Sequence, residues 1–587
     1  MSKWDLSGYF KTNEEWSAKF NELNESIPEL NKFKGKLGKK ATLIAYLQKS
    51  KELELVLMPL YGYAHQSADL DQSNQEYAGR MQQLGLLFAK WSNATSFYES
   101  EIIALGEKKI NSFLKKDNFL KDYAFSFRSL FHNQRHVLSE KEEMIFANFS
   151  PISGSIDDVY NSVYAIDRKN EVVSLSDGQE RTITLSNYRS IIPELKNAND
   201  RKIVFEAAFK RFQENKNTFA NIYNSVLLSL QASYKSRSFN SALEAKLYSH
   251  NIPLEVFNNL KNVVYENTNL VKRYLELRKK ALKISDYHTW DRFIELAYSS
   301  KKYDYQEAKE IFFEAIKLMP EEYIEAQKSA LEDGYVDVQS ADTKRTGAYS
   351  THFYGYHPYI LLNHDKSLDS VFTLAHEAGH SAHSIFSAKN QPYPTHGYEI
   401  FVAEIASTFN EHLLLDYLLE KSTSKKEKIA LLEKAINNIL STFYRQTLFA
   451  HYEYEANELL AKGEPITADA LSKIMIELYQ HYYDLDITKE GPKQYVWAYI
   501  PHLFHTPFYV YQYATSFAAS LKFYENIKSQ VPQAYENYLS LLKSGGSDFP
   551  VTLVMKAGVD LTAKEAYLAV VHRFEELLNK LAQILEK

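Results

Sequence analysis

The 587-residue chain contains no cysteine, so no disulfide can form and no metal site can draw on thiolates. No run of 18 or more apolar residues occurs, and no membrane-spanning helix is expected. A long basic stripe is also missing. With 68 Lys+Arg against 74 Asp+Glu the formal net charge is −6, which gives nucleic acid nothing to bind. The cluster Lys425-Lys426-Glu427-Lys428 is short and reads as a solvated helix face. The opening residues, MSKWDLSGYFKTNEEWSAKF, are charged and lack the apolar core of a secretory signal, so a cytoplasmic location is expected. Proline (15) and glycine (19) are scarce for the length, which leaves long stretches with few breakers.

Those stretches carry apolar residues at three- and four-residue spacing, the helical signature. They cover 41–58, 199–235, 257–283, 305–328 and 427–463, and the chain reads as mostly α. At 45% hydrophobic residues, with 43 tyrosines and 34 phenylalanines, there is ample material for a large core. Strand signals are few. Residues 171–185 alternate around Asp177-Gly178, a hairpin turn. Residues 334–363 hold two more candidates, Tyr335-Val336-Asp337-Val338 and Tyr359-Ile360-Leu361-Leu362. No linker or internal repeat is visible. A boundary is placed near residue 190, giving an N-terminal helical region with a small β-hairpin (1–190) and a second helical region (191–587).

The segment 371–384, VFTLAHEAGHSAHS, contains H-E-x-x-H. Residues four apart share a helix face, so His376 and His380 can aim two imidazoles at one point. Zinc takes imidazole nitrogens at about 2.0–2.1 Å, and the pair makes half a tetrahedral site. Glu377 is rotated by about 100° from His376, where it can reach a water on the metal and act as general base. Gly379 costs about 1 kcal/mol against Ala inside a helix and permits close approach of a backbone or a substrate. A catalytic zinc needs a third ligand. Segment 401–412, FVAEIASTFNEH, reads as a second buried helix, and Glu404 stands in its apolar context. An unpaired carboxylate there is costly to bury, which makes Glu404 the expected third ligand. Glu411, seven residues on, returns to nearly the same face and can accept from a ligand histidine. His383 is either a supporting partner of that kind or a satisfied core histidine. Glu399 belongs to the helix approach. Cobalt or manganese could occupy the same ligands.

Four segments in order, G-A-Y-S with P-Y-I-L-L-N, T-L-A-H-E-A-G-H-S-A-H-S, F-V-A-E-I-A-S-T-F-N-E and I-P-H-L-F-H-T-P-F-Y-V-Y-Q-Y-A-T-S, together resemble oligoendopeptidase F. That is a branch of the thimet oligopeptidase-like zinc metallopeptidases. The resemblance spans about residues 334–520 by its motifs. It implies a large two-lobed helical ellipsoid with a deep substrate channel and a small β-sheet beside the HExxH helix. It also implies one zinc per chain, held by His376, His380 and Glu404 with Glu377 as base, and hydrolysis of internal bonds in short unstructured oligopeptides. The tyrosine-rich segment 499–515 then supplies transition-state donors: His502 and Tyr509 first, with His505, Tyr511 and Tyr513 as rivals. Gly347–Ser350 resembles the sheet edge beside the zinc, able to pair with an extended peptide. Lys344 and Arg345 are either contacts for a substrate carboxylate or solvated charges. The competing readings are an exopeptidase releasing C-terminal dipeptides, a non-catalytic helical peptide binder, and a scaffold whose histidines are merely packed.

Overall fold

The computed structural model describes residues 3–167, 169–298 and 301–586. Helix accounts for 72% of the chain, in agreement with the breaker-poor sequence. The expected helical stretches are present, cut where local chemistry cuts them. Stretch 199–235 is two helices, Ala198–Glu214 and Lys216–Ser236, broken at Asn215. Stretch 305–328 is Tyr305–Ala315 and Glu321–Ala330, with Pro320 as N-cap of the second. Stretch 427–463 is Lys425–Ile439 and Arg445–Ala461, joined through a π turn at Leu440–Tyr444.

The chain packs as two compact units, each assembled from three segments: 1–135, 301–417 and 523–559 in the first, and 136–300, 418–522 and 560–587 in the second. These units cut the chain elsewhere than residue 190. The physical reason is local. The hairpin β1 (Glu171–Ser174) and β2 (Glu180–Ile183) packs onto helix Ala198–Glu214, so contacts run across the expected boundary. The hairpin itself is as read: β1 and β2 are antiparallel, and Gly178 takes φ +80 in the turn.

In the first unit, helices Asn13–Ser26, Lys40–Leu70 and Gln75–Thr95 pack together around Trp16, Leu43, Leu57, Leu60, Leu84 and Leu87. A three-stranded sheet joins that core through Tyr359 and Leu361. Its strands are β3 (Val336–Asp337), β4 (Tyr349–Thr351) and β5 (Tyr359–Leu361), in the order β3-β5-β4. β3 runs parallel to β5 and β4 antiparallel, which makes β4 an edge. The sheet leads into helix Leu368–Asn390, started by Ser367, whose hydroxyl accepts the Ser370 N–H, with Asp369 in the first turn. This helix is buried nearly all round. Helices Tyr305–Ala315, Glu321–Ala330 and Ala534–Ser544 pack on it together with β4 and β5. No described helix is long and apolar enough to cross a membrane.

Candidate metal centre and active site

Helix Leu368–Asn390 carries His376, Glu377 and His380, and helix Ile400–Lys421 carries Glu404 and Glu411. Gly379 lets the two helices touch: a Cβ built there would lie 2.5 Å from the Ala406 carbonyl oxygen and 2.7 Å from Ser407 Cα. Of the two uses open to this glycine, the structure shows approach of a backbone. Asn410 ties the same helices, its Nδ2 donating to the Ala375 carbonyl at 2.8 Å.

Across this seam one donor atom from each of His376, His380 and Glu404 falls within 4.8 Å of the others. His376 Nε2 lies 3.4 Å and His380 Nε2 3.6 Å from Glu404 Oε2. Those separations are long for hydrogen bonds. They match donors about 3.3–3.4 Å apart, the edge of a tetrahedron whose centre is 2.0–2.1 Å from each corner. The donor set, two imidazoles and a carboxylate with a fourth direction left over, is that of a catalytic zinc site. The residues present therefore fit the ion.

Neighbours orient each donor. His376 Nδ1–H donates to Glu411 Oε1 at 2.6 Å, which turns Nε2 to the common point. The Ala403 backbone acts on the His380 imidazole. Ser407 donates to Glu404 Oε2 at 2.9 Å. Sequence reasoning found Glu411 and missed Ser407 and Asn410. Ser407 stands one helical turn from Glu404, a signal that was available.

Electrostatics fit the geometry. Burial alone would lower His376, yet Glu404 and Glu411 outweigh it and hold the imidazole well above its ordinary value. Burial alone would raise Glu404, but His376 and His380 pull the carboxyl down to about 2. Burial, with His376 beside it, lowers His380 to about 4. Glu377, 6% exposed, is pushed up to about 7, by burial first and by Glu404 and Glu411 against the pull of His376. Its Oε2 is buried with no hydrogen-bond partner. β4 runs alongside, with Ser350 and Ser381 hydroxyls 2.8 Å apart.

Other expected residues sort themselves. His383 is 1% exposed, stacks on Tyr398 at 3.7 Å, and has no partner on either nitrogen. Burial lowers it to about 3, so it is a neutral packed ring and does not support a ligand. Lys344 is neither a substrate contact nor a solvated charge. It is 4% exposed, and its ammonium donates to Asp337 Oδ1, Gln339 O and Leu362 O, each at 2.6 Å. Arg345 lies 3.3 Å from Asp69. Glu399 stands at the start of helix Ile400–Lys421, its carbonyl accepting the Val402 N–H at 3.0 Å.

His502, Tyr509 and Tyr513 form a cluster in the second unit. His502 and Tyr509 are near parallel at 9° and 5.9 Å, and Tyr513 is edge-on to both. Tyr511 is 1% exposed and packs on Phe257 at 5.6 Å, which makes it core. His505 Nδ1 is 2.9 Å from Asp157. The loop is fixed at Phe508, which takes φ +57 and whose N–H donates to the buried Glu453 carboxylate at 2.7 Å.

An H-E-x-x-H helix seated against a glutamate-bearing helix, in a helical fold with small sheets, defines a metallopeptidase. Residues 192–572 match the profile of peptidase family M3, and residues 101–165 match that of Oligopeptidase F. The chain belongs to peptidase family M3, a family of zinc metallopeptidases, and is a peptide-hydrolysing enzyme. Oligopeptidase PepF of Bacillus subtilis is 34% identical, over 100% of this chain and 87% of that one. A solved chain from Chlamydophila abortus is 32% identical with a TM-score of 0.89, over 99% of this chain and 98% of that one. The structure of oligoendopeptidase-F from Enterococcus faecium is 29% identical with a TM-score of 0.77, over 98% and 99%.

Proposed function

We propose that the protein is a zinc-dependent endopeptidase of short, unstructured oligopeptides, with His376, His380 and Glu404 as ligands of one zinc and Glu377 as the catalytic base. The observation that carries this reading is the convergence of three donor atoms within 4.8 Å, next to a buried carboxyl with an unpartnered oxygen. Bound zinc supplies a Lewis acid that polarises the scissile carbonyl and acidifies water. The remaining work falls to the chain. Glu411 keeps the proton of His376 on Nδ1, so Nε2 presents its lone pair. Glu377 takes the proton of the attacking water and hands it to the leaving amine as the C–N bond breaks. Its burial, with one carboxyl oxygen left without a partner, leaves that oxygen available to the water. The edge strand β4 offers main-chain groups to an extended peptide, which gives affinity with little side-chain selectivity. His502 and Tyr509 are the proposed donors to the developing oxyanion.

The test combines zinc content with turnover of a quenched, C-terminally amidated peptide, for wild type and Glu377→Gln. One zinc per chain in both proteins, internal cleavage by wild type and loss of at least about 10²–10³ in rate for the variant support the reading. A zinc-loaded Glu377→Gln with full turnover refutes the role of Glu377. Release of dipeptides only from free C-termini would make the enzyme an exopeptidase.

A further inference from the structure

Tyr509 is aimed by a strained piece of backbone. It lies in the segment 506–510, between helix Pro501–His505, which carries His502, and helix Tyr511–Lys528. Phe508 and Val510, on either side of it, are buried, and Tyr509 itself is half-buried. Phe508 takes φ +57, the left-handed region that glycine tolerates and a bulky side chain disfavours. A hydrogen bond to another helix holds it there: the Phe508 N–H donates to Glu453 Oε1 at 2.7 Å. Glu453 stands on helix Arg445–Ala461 and is buried. Its other oxygen, Oε2, is buried without a hydrogen-bond partner. The same helix also reaches the start of the segment. Tyr452 stacks on Tyr223 at 6.2 Å, and Tyr223 packs on Phe504, in the helix of His502, at 5.3 Å.

A buried carboxyl with one oxygen unpartnered and a phenylalanine in left-handed backbone are each destabilising. Both meet at a single hydrogen bond, on the residue that precedes Tyr509. Such local losses concentrate where geometry is part of a mechanism. The geometry points to Glu453 as a positioning residue of the peptidase reaction: by holding the Phe508 N–H it keeps the Tyr509 ring within 9° of parallel to His502, at 5.9 Å. This role rests on the reading of Tyr509 as a donor to the oxyanion. Without the acceptor, Phe508 is left with a buried, unsatisfied N–H and is free to return to negative φ, which redirects the chain into Tyr509. A catalytic group misplaced by about 1 Å loses on the order of 10² in rate.

The experiment measures kcat, KM and zinc content of the full-length, zinc-loaded protein on the quenched, amidated peptide. Glu453→Met keeps the volume and removes the acceptor. Its kcat should fall about 10²-fold, with KM and zinc content close to wild type. Glu453→Gln retains a carbonyl oxygen for the Phe508 N–H and should keep most of the wild-type kcat. Tyr509→Phe should lose about 10²–10³ by itself. Because Glu453 acts through Tyr509, Glu453→Met combined with Tyr509→Phe should be no slower than Tyr509→Phe alone, whereas a general structural loss would multiply. Multiplying losses overturn the proposal. So does wild-type kcat in Glu453→Met beside a slow Tyr509→Phe, or a Glu453→Gln as slow as Glu453→Met. A Tyr509→Phe enzyme at full rate instead refutes the donor reading, and the positioning role with it. Should Glu453→Met not fold, Glu453→Asp, whose carboxyl falls one methylene short of the Phe508 N–H, carries the same comparison.

Discussion

Replacing Gly379 by alanine tests how closely the two site helices must approach. In an isolated helix the change is favourable by about 1 kcal/mol. Here the new Cβ would sit 2.5 Å from Ala406 O, 2.7 Å from Ser407 Cα and 2.8 Å from Ala406 C, all backbone atoms that no side-chain rotation can clear. Reaching ordinary contact at 3.4 Å requires the helices to part by about 0.9 Å. Overpacking of this kind costs about 1–3 kcal/mol, which outweighs the propensity gain. The same displacement moves His376 and His380 away from Glu404, and zinc sites tolerate only about 0.2 Å in ligand distance. Zinc affinity should fall on the order of 10- to 100-fold or more. Denaturant unfolding of the metal-free protein and competition against a chromogenic chelator measure the two effects separately. Gly85→Ala is the control: it sits in helix Gln75–Thr95 with nothing within 4 Å of its would-be Cβ, and it should stabilise slightly. A Gly379→Ala protein as stable as wild type with unchanged zinc affinity would refute the account of the helix seam.

Glu411→Gln should weaken zinc binding about 10–100-fold while leaving Glu377 in place, read by chelator competition and by rescue of activity at high zinc. Lys344→Met strands Asp337 without its cation and should cost about 3–5 kcal/mol in denaturant unfolding; a loss under 1 kcal/mol would mean the pair is not closed. Glu453, 1% exposed, is raised by burial to about 8, against about 4.5 when unfolded. The native state then keeps a proton that the unfolded chain releases between those values, so stability falls by up to a few kcal/mol as pH rises from about 4.5 to 8. Glu453→Gln should flatten that fall, and an unchanged pH profile of unfolding would sink the argument.

Much of the fold was legible because its signals are local. Apolar spacing with few Pro or Gly marked the long helices, and Asp177-Gly178 marked the hairpin. The break at Asn215 lies within an otherwise helical pattern, where capping decides what periodicity does not, whereas the break before Glu321 falls at Pro320, a breaker the sequence displays. The compact units were illegible for a different reason. Each is assembled from three separated segments, and no composition shift accompanies the crossings, since both sides are helix.

The candidate site divides along the same line. His376, Glu377 and His380 sit within five residues, so one helix turn explains them. Glu404 needed the further argument that a carboxylate in an apolar face requires a partner, Glu411 followed from its seven-residue spacing, and the seam at Gly379 brings their partners within reach. Residues whose partners are distant in sequence, or are rings, were misjudged or left open. Lys344 looks like surface charge beside Arg345, yet the carbonyl of Leu362, eighteen residues on, takes one of its protons. His383, which follows His380 by one turn, was left open between a ligand's supporter and a core histidine, and its stacking on Tyr398 decides for the core. Spacing therefore specifies which side chains share a face, and it leaves open whether that face meets a metal, a ring or a carbonyl. At this site the deciding feature is the absence of a Cβ at position 379, where the Ala406–Ser407 backbone enters.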